Sequence, residues 1–397
     1  MNDYTHILDY YRRNRNHISK HTQVSELQLT TALSALNYQN PIKTKNELEG
    51  LLSVVKLYYL IQREFDDLIN KDNLHLAFSI MQRCGHHYTH CSTDANYAPD
   101  KISVPYNDLK KLFTVGQQEI STLSIYCEGD PFYYRAGGHD LIDIIYLGAS
   151  KGIQKVSIMH TAPMKNKRKL FMAFLRAVED TGIILQPELS FHLYHPLARS
   201  NNNKFLQNVK FTMYEYLNRG MNLQVYTRSD HSNNIQTVKK LNSLIDMLSA
   251  DPDLLPNKRC TQCGRILMGI YPTSTLPIGR ARAFLQAGSF DIIDHTKRSG
   301  QDAYLCPTWW DRNTIFTDTL GWLQLCYSTI SMVEGVKKTA GTNIYDDSFD
   351  KVLKTMHRYW KMKYNYLRAH LRDMIRERPN PRYCPQFLFD KALEMRS

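Results

Sequence analysis

The segment Leu123-Ser-Ile-Tyr-Cys127-Glu-Gly-Asp-Pro131 joins a short apolar run to a turn-forming sequence. A run of this kind that ends in Gly, Asp and Pro indicates a buried strand followed by a tight turn. Five further runs resemble it: His75–Met81, Lys155–His160, Leu189–Leu193, Leu223–Tyr226 and Met268–Tyr271. Apolar residues recur at helical spacing in the intervals 106–113, 140–148, 167–181, 203–218 and 234–248. This alternation predicts about six βα units around a parallel sheet.

Six units are fewer than the eight that close a full barrel, so the sequence predicts an α/β fold with an open, partial (β/α)6 barrel over residues 79–285. Residues 1–78 are predicted to form a helical N-terminal region, in which Thr44 and Glu47 have the spacing of a capping box. Residues 286–397 are predicted to form a small α+β extension that ends in a long basic helix, from Ser348 to about Glu377.

Parallel barrels place their chemistry at the carboxyl ends of the strands. The first strand is followed by Cys84-Gly-His-His-Tyr88-Thr-His-Cys91, and the second by Glu128-Gly129-Asp130-Pro131. Thr161 follows the third strand, and Ser190 and His192 lie at the fourth. We therefore expect these residues to meet at one edge of the sheet.

In this order, the segments resemble those of the radical S-adenosylmethionine (radical SAM) superfamily. Its members carry CxxxCxxC after the first strand and a GGEP segment after the second. Cys84 and Cys91 match the outer cysteines, and Tyr88 stands in place of the middle one. The resemblance implies a [4Fe–4S] cluster at Cys84, Tyr88 and Cys91, and SAM bound by Glu128, Gly129, Asp130, Pro131, Thr161, Ser190 and His192.

The C-terminal part resembles the SPASM or twitch extension of the same superfamily. Pro277-Ile-Gly-Arg-Ala281 is similar to its PxGRA segment, and Asn313–Cys326 is similar to its β-hairpin, with Asp318 and Gly321 predicted to make the turn. Ser348 is predicted to cap the last helix. The extension implies a possible second metal site, for which the available thiols are Cys260, Cys263, Cys306, Cys326 and Cys384.

The resemblance implies an enzyme that cleaves SAM reductively at the cluster, giving a radical that modifies a peptide, protein or nucleotide substrate. Soft thiolates suit iron–sulfur clusters better than the hard phenolate of Tyr88. Two alternatives are therefore open: an inactive barrel that serves as a binding or regulatory module, and a zinc site of Cys84, Cys91 and two of the neighbouring imidazoles.

The formal net charge of the chain is +12, which favours an anionic partner such as nucleic acid or an acidic peptide, or a basic solvated surface. The basic residues concentrate in the segments Tyr10–Lys20 and Lys351–Arg382. In the second segment the aromatic side chains have helical spacing, which predicts a packed face more than a base-stacking one. No apolar run approaches the roughly 20 residues of a membrane span and no secretory signal is present, so we expect a cytoplasmic protein without membrane contact.

Overall fold

A computed structural model of the chain describes residues 4–18, 23–63, 73–82, 84, 103–117, 119–126, 129–163, 165–191, 202–228, 239–240, 243–244, 266–271, 313–324 and 342–377. These residues divide into two compact units. The first combines residues 1–70, 293–313 and 353–397, and the second combines residues 71–292 and 314–352. The predicted domain boundaries near residues 78 and 285 stay a prediction.

The first unit is helical in its described residues, as the sequence predicts for its N-terminal part. It contains α1 (Thr5–Asn14), α2 (Glu26–Ala35), α3 (Lys45–Ile61) and all but the first turn of α8 (Phe349–Glu377). The predicted capping box at the start of α3 is present, since Thr44 and Glu47 bind each other's backbone amides. Tyrosine hydroxyls tie the helices together: Tyr59 donates to Gln28 O at 3.1 Å, and Tyr364 donates to Ile61 O at 3.2 Å.

The second unit contains a sheet of eight strands in the order β6-β5-β4-β3-β2-β1-β7-β8. The first six follow one another in chain order and are all parallel: β1 (Leu74–Phe78), β2 (Ile120–Tyr126), β3 (Lys155–His160), β4 (Ile184–Ser190), β5 (Leu223–Arg228) and β6 (Ile266–Tyr271). Among the described strands, β6 and β8 lie at opposite ends of the sheet, which is therefore open. The predicted fold class, a partial parallel barrel, is confirmed.

Helices connect the parallel strands, as the alternating pattern predicts. They are α4 (Tyr106–Val115), α5 (Leu141–Ser150), α6 (Arg168–Thr181) and α7 (Asn202–Asn218). Asp140 caps α5 by accepting a hydrogen bond from Ile142 N at 2.8 Å. Buried rings fill the layer between sheet and helices, with Phe132 packed edge-on against both Phe171 and Phe174. The predicted helix at 234–248 lies largely outside the described residues.

Strand β4 begins five residues before the predicted start at Leu189. Proline usually excludes a central strand because it has no N–H to donate. Pro187 nevertheless pairs with Ile158 of β3, while the described ladder with β5 begins only at Glu188. The proline thus occupies the part of β4 that is paired on one side, where its missing donor is tolerated.

The predicted C-terminal hairpin is present as β7 (Thr314–Thr317) and β8 (Leu323–Gln324), which are antiparallel. Asp318 closes its turn by accepting hydrogen bonds from Leu320 N and Trp322 N, both at 2.9 Å. Gly321 has φ +85°, in the left-handed region that glycine adopts without strain. β7 also pairs in parallel with β1, so this hairpin extends the sheet of the barrel.

The last helix, α8, begins as predicted. Ser348 Oγ accepts a hydrogen bond from Lys351 N at 3.3 Å and so caps the helix. The aromatic residues Tyr359, Trp360 and Tyr364 are buried, which confirms that they form a packed face. No helix among the described residues has the length and apolar character needed to cross a membrane.

Candidate cofactor site at the carboxyl ends of β1 to β4

The carboxyl ends of β1 to β4 lie side by side because the four strands are parallel and paired in chain order. Cys84 follows β1, the Gly129-Asp130-Pro131 turn follows β2, Thr161 follows β3 and Ser190 ends β4. The expected grouping at one edge is thus met by those predicted site residues that the structure describes. The others fall outside its described part: Glu128, His192, Tyr88, Cys91, Cys260, Cys263, Cys306, Cys326 and Cys384.

Asp130 fastens the turn after β2 to the end of β3. Its side chain is buried, with only 4% exposure. Oδ1 accepts a hydrogen bond from Phe132 N at 3.0 Å and so caps the short helix Pro131–Tyr133, while Oδ2 accepts from Thr161 N at 3.4 Å. Since both carboxylate oxygens bind backbone amides, the side chain of Asp130 shapes the turn. This arrangement suits a site in which the backbone of the turn contacts the ligand.

Tyr133 brings the turn after β2 into the same electrostatic environment as Cys84. The pKa of the Tyr133 phenol is raised to about 12, mainly by burial and to a smaller extent by the nearby Asp130 and Cys84. Cys84 is itself half-buried. Cys84 and Asp130 thus both lie near enough to Tyr133 to affect its ionisation.

Lys167 adds a positive charge to this edge. Its Nζ lies over the Tyr133 ring, 4.6 Å from the ring centre, which is within the range of a cation–π contact. Burial lowers the pKa of the Lys167 ammonium, and so does the nearby Arg135, whereas Asp130 and Asp140 act in the opposite direction. The sequence analysis did not select Lys167, because basic residues just before a helix such as α6 are common and do not by themselves indicate a site.

His160 ends β3 but points into the layer of helices. Its Nδ1 lies 2.7 Å from Thr161 O, which can only accept, so Nδ1 carries the proton. Nε2 then accepts from the hydroxyl of Tyr216 on α7, also at 2.7 Å. Phe132 and Phe171 surround the imidazole. These contacts give His160 a structural role.

The opposite face of the sheet carries a set of polar side chains that we call the inner polar row: Thr314, His75, Ser124, Ser157 and Glu188. Two hydrogen-bonded groups make it up. His75 lies 3.0 Å from Thr314 Oγ1 and 2.5 Å from Ser124 Oγ, and Ser157 Oγ donates to Glu188 Oε1 at 2.5 Å. Ser124 and Ser157 are register partners, so the two groups adjoin.

Glu188 is the acid of this row, with 5% exposure. Burial raises the pKa of its carboxyl group, while the hydrogen bond from Ser157 and the charge of Lys155 act to lower it. Because side chains alternate along a strand, Glu188 lies on the same face as Ser190 and about 6.6 Å deeper along β4. One signal in the sequence could have identified Glu188: it is an acidic residue within a mostly apolar strand, two positions before the predicted ligand-binding residue Ser190.

The side chains of the Cys84–Cys91 loop can be compared with the ligands that a metal cluster needs. Within the described part of the chain, no three His, Cys, Asp or Glu side chains come together as metal ligands do. Only Cys84 of the loop belongs to that part. By sequence the loop holds two thiols, the Tyr88 phenol and the imidazoles of His86, His87 and His90. These donors suffice in number for a cluster, with a third ligand harder than a thiolate.

No protein-family model and no curated protein matches the sequence. Solved structures do match, and they are radical SAM enzymes. SuiB of Streptococcus suis, bound to its precursor peptide SuiA, is 11% identical with a TM-score of 0.45, over 91% of this chain and 79% of SuiB. BtrN in complex with AdoMet and 2-DOIA is 12% identical with a TM-score of 0.38, over 75% of this chain and 89% of BtrN.

HydG, a maturase of the [FeFe]-hydrogenase, is 11% identical with a TM-score of 0.36, over 97% of this chain and 92% of HydG. At these identities the likeness is one of fold, and nothing about the chemistry of this chain rests on it. The fold itself, an open parallel sheet with strands in chain order, is the one that the sequence resemblance predicts.

Proposed function

We propose that this protein is a radical-SAM-type enzyme whose cofactor site lies at the carboxyl ends of β1 to β4. The observation that carries the proposal is that Cys84 and the Asp130 turn follow β1 and β2, two parallel strands that are paired side by side in the sheet. In the resemblance drawn from sequence, the loop after the first strand holds the cluster and the turn after the second strand binds SAM. The proposal therefore requires these two segments to be neighbours, and the parallel pairing of the strands that precede them supports it.

The residues of this edge have distinct tasks in the proposed enzyme. Asp130 holds the turn after β2 against Thr161, so that backbone groups of Gly129 and the turn are fixed before a ligand arrives. Ser190 offers a hydroxyl at the end of β4, and Cys84 offers a thiolate. A [4Fe–4S] cluster held by the Cys84–Cys91 loop would supply the electron for the reductive cleavage of SAM.

The substrate is proposed to be a peptide, a protein or a nucleotide, as the family resemblance implies. The alternative function is an inactive barrel used for binding or regulation. The observation that favours this alternative is Tyr88, which replaces the thiolate expected at the middle of the loop.

The proposal is tested by purifying the full chain without oxygen, supplying iron and sulfide, and measuring iron per chain, visible absorption and SAM binding by equilibrium dialysis. We expect brown protein that binds SAM. Cys84→Ala should lose most of the iron and Tyr88→Cys should gain iron, whereas Cys127→Ser, outside the loop, should match the wild type.

Three outcomes contradict the proposal. Colourless protein that binds neither iron nor SAM supports the inactive barrel. Colourless protein that contains zinc, lost in Cys84→Ala, supports a zinc site. Wild-type iron content in Cys84→Ala places the metal elsewhere in the chain.

A further inference from the structure

Glu188 has one carboxyl oxygen that the fold itself does not use. Oε1 accepts a hydrogen bond from Ser157 Oγ at 2.5 Å. Among the residues that the structure describes, none hydrogen-bonds to Oε2, and none forms an ion pair with this carboxyl group. Buried polar groups are normally hydrogen-bonded and buried charges are normally paired. An acid that keeps an unbonded oxygen at 5% exposure therefore indicates a position for a ligand.

The face of the sheet that carries Glu188 is open beside it. Gln186 and Ser190, its neighbours along β4 on this face, are half-buried, and so is Gln224, its register partner on β5. The other face of β4 differs, since Leu189 is fully buried there, on the side that packs against the helices. Glu188 thus lies within a polar surface whose side chains are partly accessible.

The charge around Glu188 indicates which kind of ligand fits. Lys155 is the cation that acts on it in the described part of the chain. As the register partner of Ile184, Lys155 leaves its strand about 13 Å before the level of Glu188. The nearer partners, Ser157 and Gln224, are uncharged. A cationic ligand group would supply the charge that the carboxylate lacks in contact, whereas an anionic group would be repelled.

The single unbonded oxygen favours an ammonium group over a guanidinium group. A guanidinium binds a carboxylate best through both oxygens at once. Ser157 already donates to Oε1, so only Oε2 is left. An ammonium group acts as a point charge and can donate one charge-assisted hydrogen bond to that oxygen.

We propose that Glu188 binds an ammonium group of the substrate through Oε2, as a lysine side chain of a peptide or protein would present it. The inference rests on the proposed function, in which SAM lies at the turn after β2 and at Ser190. Glu188 is about 6.6 Å deeper along the same face of β4, so the substrate amine lies beyond SAM, further from the carboxyl edge. Among the proposed substrate classes, this excludes a nucleotide, whose phosphates are anionic.

The test measures the binding of matched probes to the full chain, purified without oxygen and supplied with iron, sulfide and SAM, by isothermal titration calorimetry. Nα-acetyl-lysine amide carries the ammonium group, and Nα-acetyl-norleucine amide has a similar side chain without it. We expect the lysine probe to bind about tenfold more tightly or better, which is the gain from one hydrogen bond to a charged group. Nα-acetyl-arginine amide should bind more weakly than the lysine probe.

Glu188→Gln keeps the shape of the side chain and removes its charge. It should lower the affinity for the lysine probe about tenfold or more and leave that for the norleucine probe unchanged. The matched control Glu119→Gln removes the same charge just before β2, at the opposite edge of the sheet, and should bind like the wild type. Ser157→Ala releases Oε1 and should narrow the preference for the lysine probe over the arginine probe.

The proposal is overturned if the wild type does not bind the lysine probe, binds it no better than the norleucine probe, or binds it no better than Glu188→Gln does. An unchanged preference in Ser157→Ala would contradict the choice of an ammonium group. If Glu188→Gln loses more affinity for SAM than for the lysine probe, Glu188 serves the amino group of SAM instead of the substrate.

The proposed function and the amine site fail separately. Protein that binds iron and SAM but not the lysine probe refutes the amine site alone. Protein that binds neither iron nor SAM, yet binds the lysine probe through Glu188, refutes the proposed enzyme and leaves the amine site as the ligand site of an inactive barrel.

Discussion

Replacing Asp130 by alanine tests whether this carboxylate builds the turn at the candidate site. The substitution removes the acceptor for Phe132 N and for Thr161 N, both in buried surroundings. An unsatisfied buried amide costs about 1 to 3 kcal/mol. The bond to Thr161 N is long at 3.4 Å and belongs at the low end, so the two amides together should cost about 3 kcal/mol.

Asp130→Asn separates the two contacts. Its one carbonyl oxygen can still accept from Phe132 N, but its NH2 group cannot accept from Thr161 N. We therefore expect a loss of about 1 kcal/mol, the low end for an unsatisfied amide. Urea unfolding of both variants measures the free energies, and SAM binding by equilibrium dialysis measures the effect on the proposed ligand.

Asp140→Ala is the matched control, because Asp140 also caps a helix through a side-chain oxygen, bound to Ile142 N. Loss of that cap should cost about 1 kcal/mol and leave SAM binding unchanged. The reasoning is refuted if Asp130→Ala unfolds at the urea concentration of the wild type. If instead it is destabilised but binds SAM normally, Asp130 serves folding alone and the SAM part of the proposal fails.

Three further substitutions test the buried contacts by urea or thermal unfolding. Burial raises the pKa of the Glu188 carboxyl group, so the folded state keeps the proton to a higher pH than the unfolded state does. The contribution of this group to stability therefore falls as the pH rises through the folded-state pKa. Glu188→Gln should be more stable than the wild type at pH 7, and this advantage should vanish near pH 4. Tyr216→Phe leaves His160 Nε2 without its donor and should cost about 1 to 3 kcal/mol, with a smaller further loss when His160→Phe is added. Gly321→Ala should cost about 2 kcal/mol or more, because φ is +85° and the new methyl overlaps the ring of Tyr345; an unchanged Tm would contradict this.

Local chemistry made several features predictable from the sequence. The Asp318 and Gly321 turn, the Ser348 cap and the Thr44 capping box each depend on a few adjacent residues whose types fix the backbone. The order of βα units was predictable for the same reason, since each unit shows its own periodicity. The edge of the sheet at which the described site residues lie was predictable from the direction of the strands, because Asp130 and Thr161 come directly after predicted strands.

Features that depend on distant pairing could not be predicted. β7 joins β1 although about 240 residues separate them in the chain, as the hydrogen bond between His75 and Thr314 shows. The pairing of Ser157 with Glu188 requires the register of β3 on β4, which the misplaced start of β4 would have shifted. Sequence periodicity carries no information about register between strands.

The polar groups near the candidate site lie on two different faces of the sheet. His160 lies on the face that packs against α6 and α7, with both ring nitrogens bonded. Glu188 lies on the other face, which it shares with Ser190 at the predicted ligand position. A ligand held at Ser190 is therefore nearer to the Glu188 carboxyl along the same face than to the His160 imidazole behind the sheet. It follows that substitutions at His160 should act on stability alone, whereas those at Glu188 should also change ligand binding.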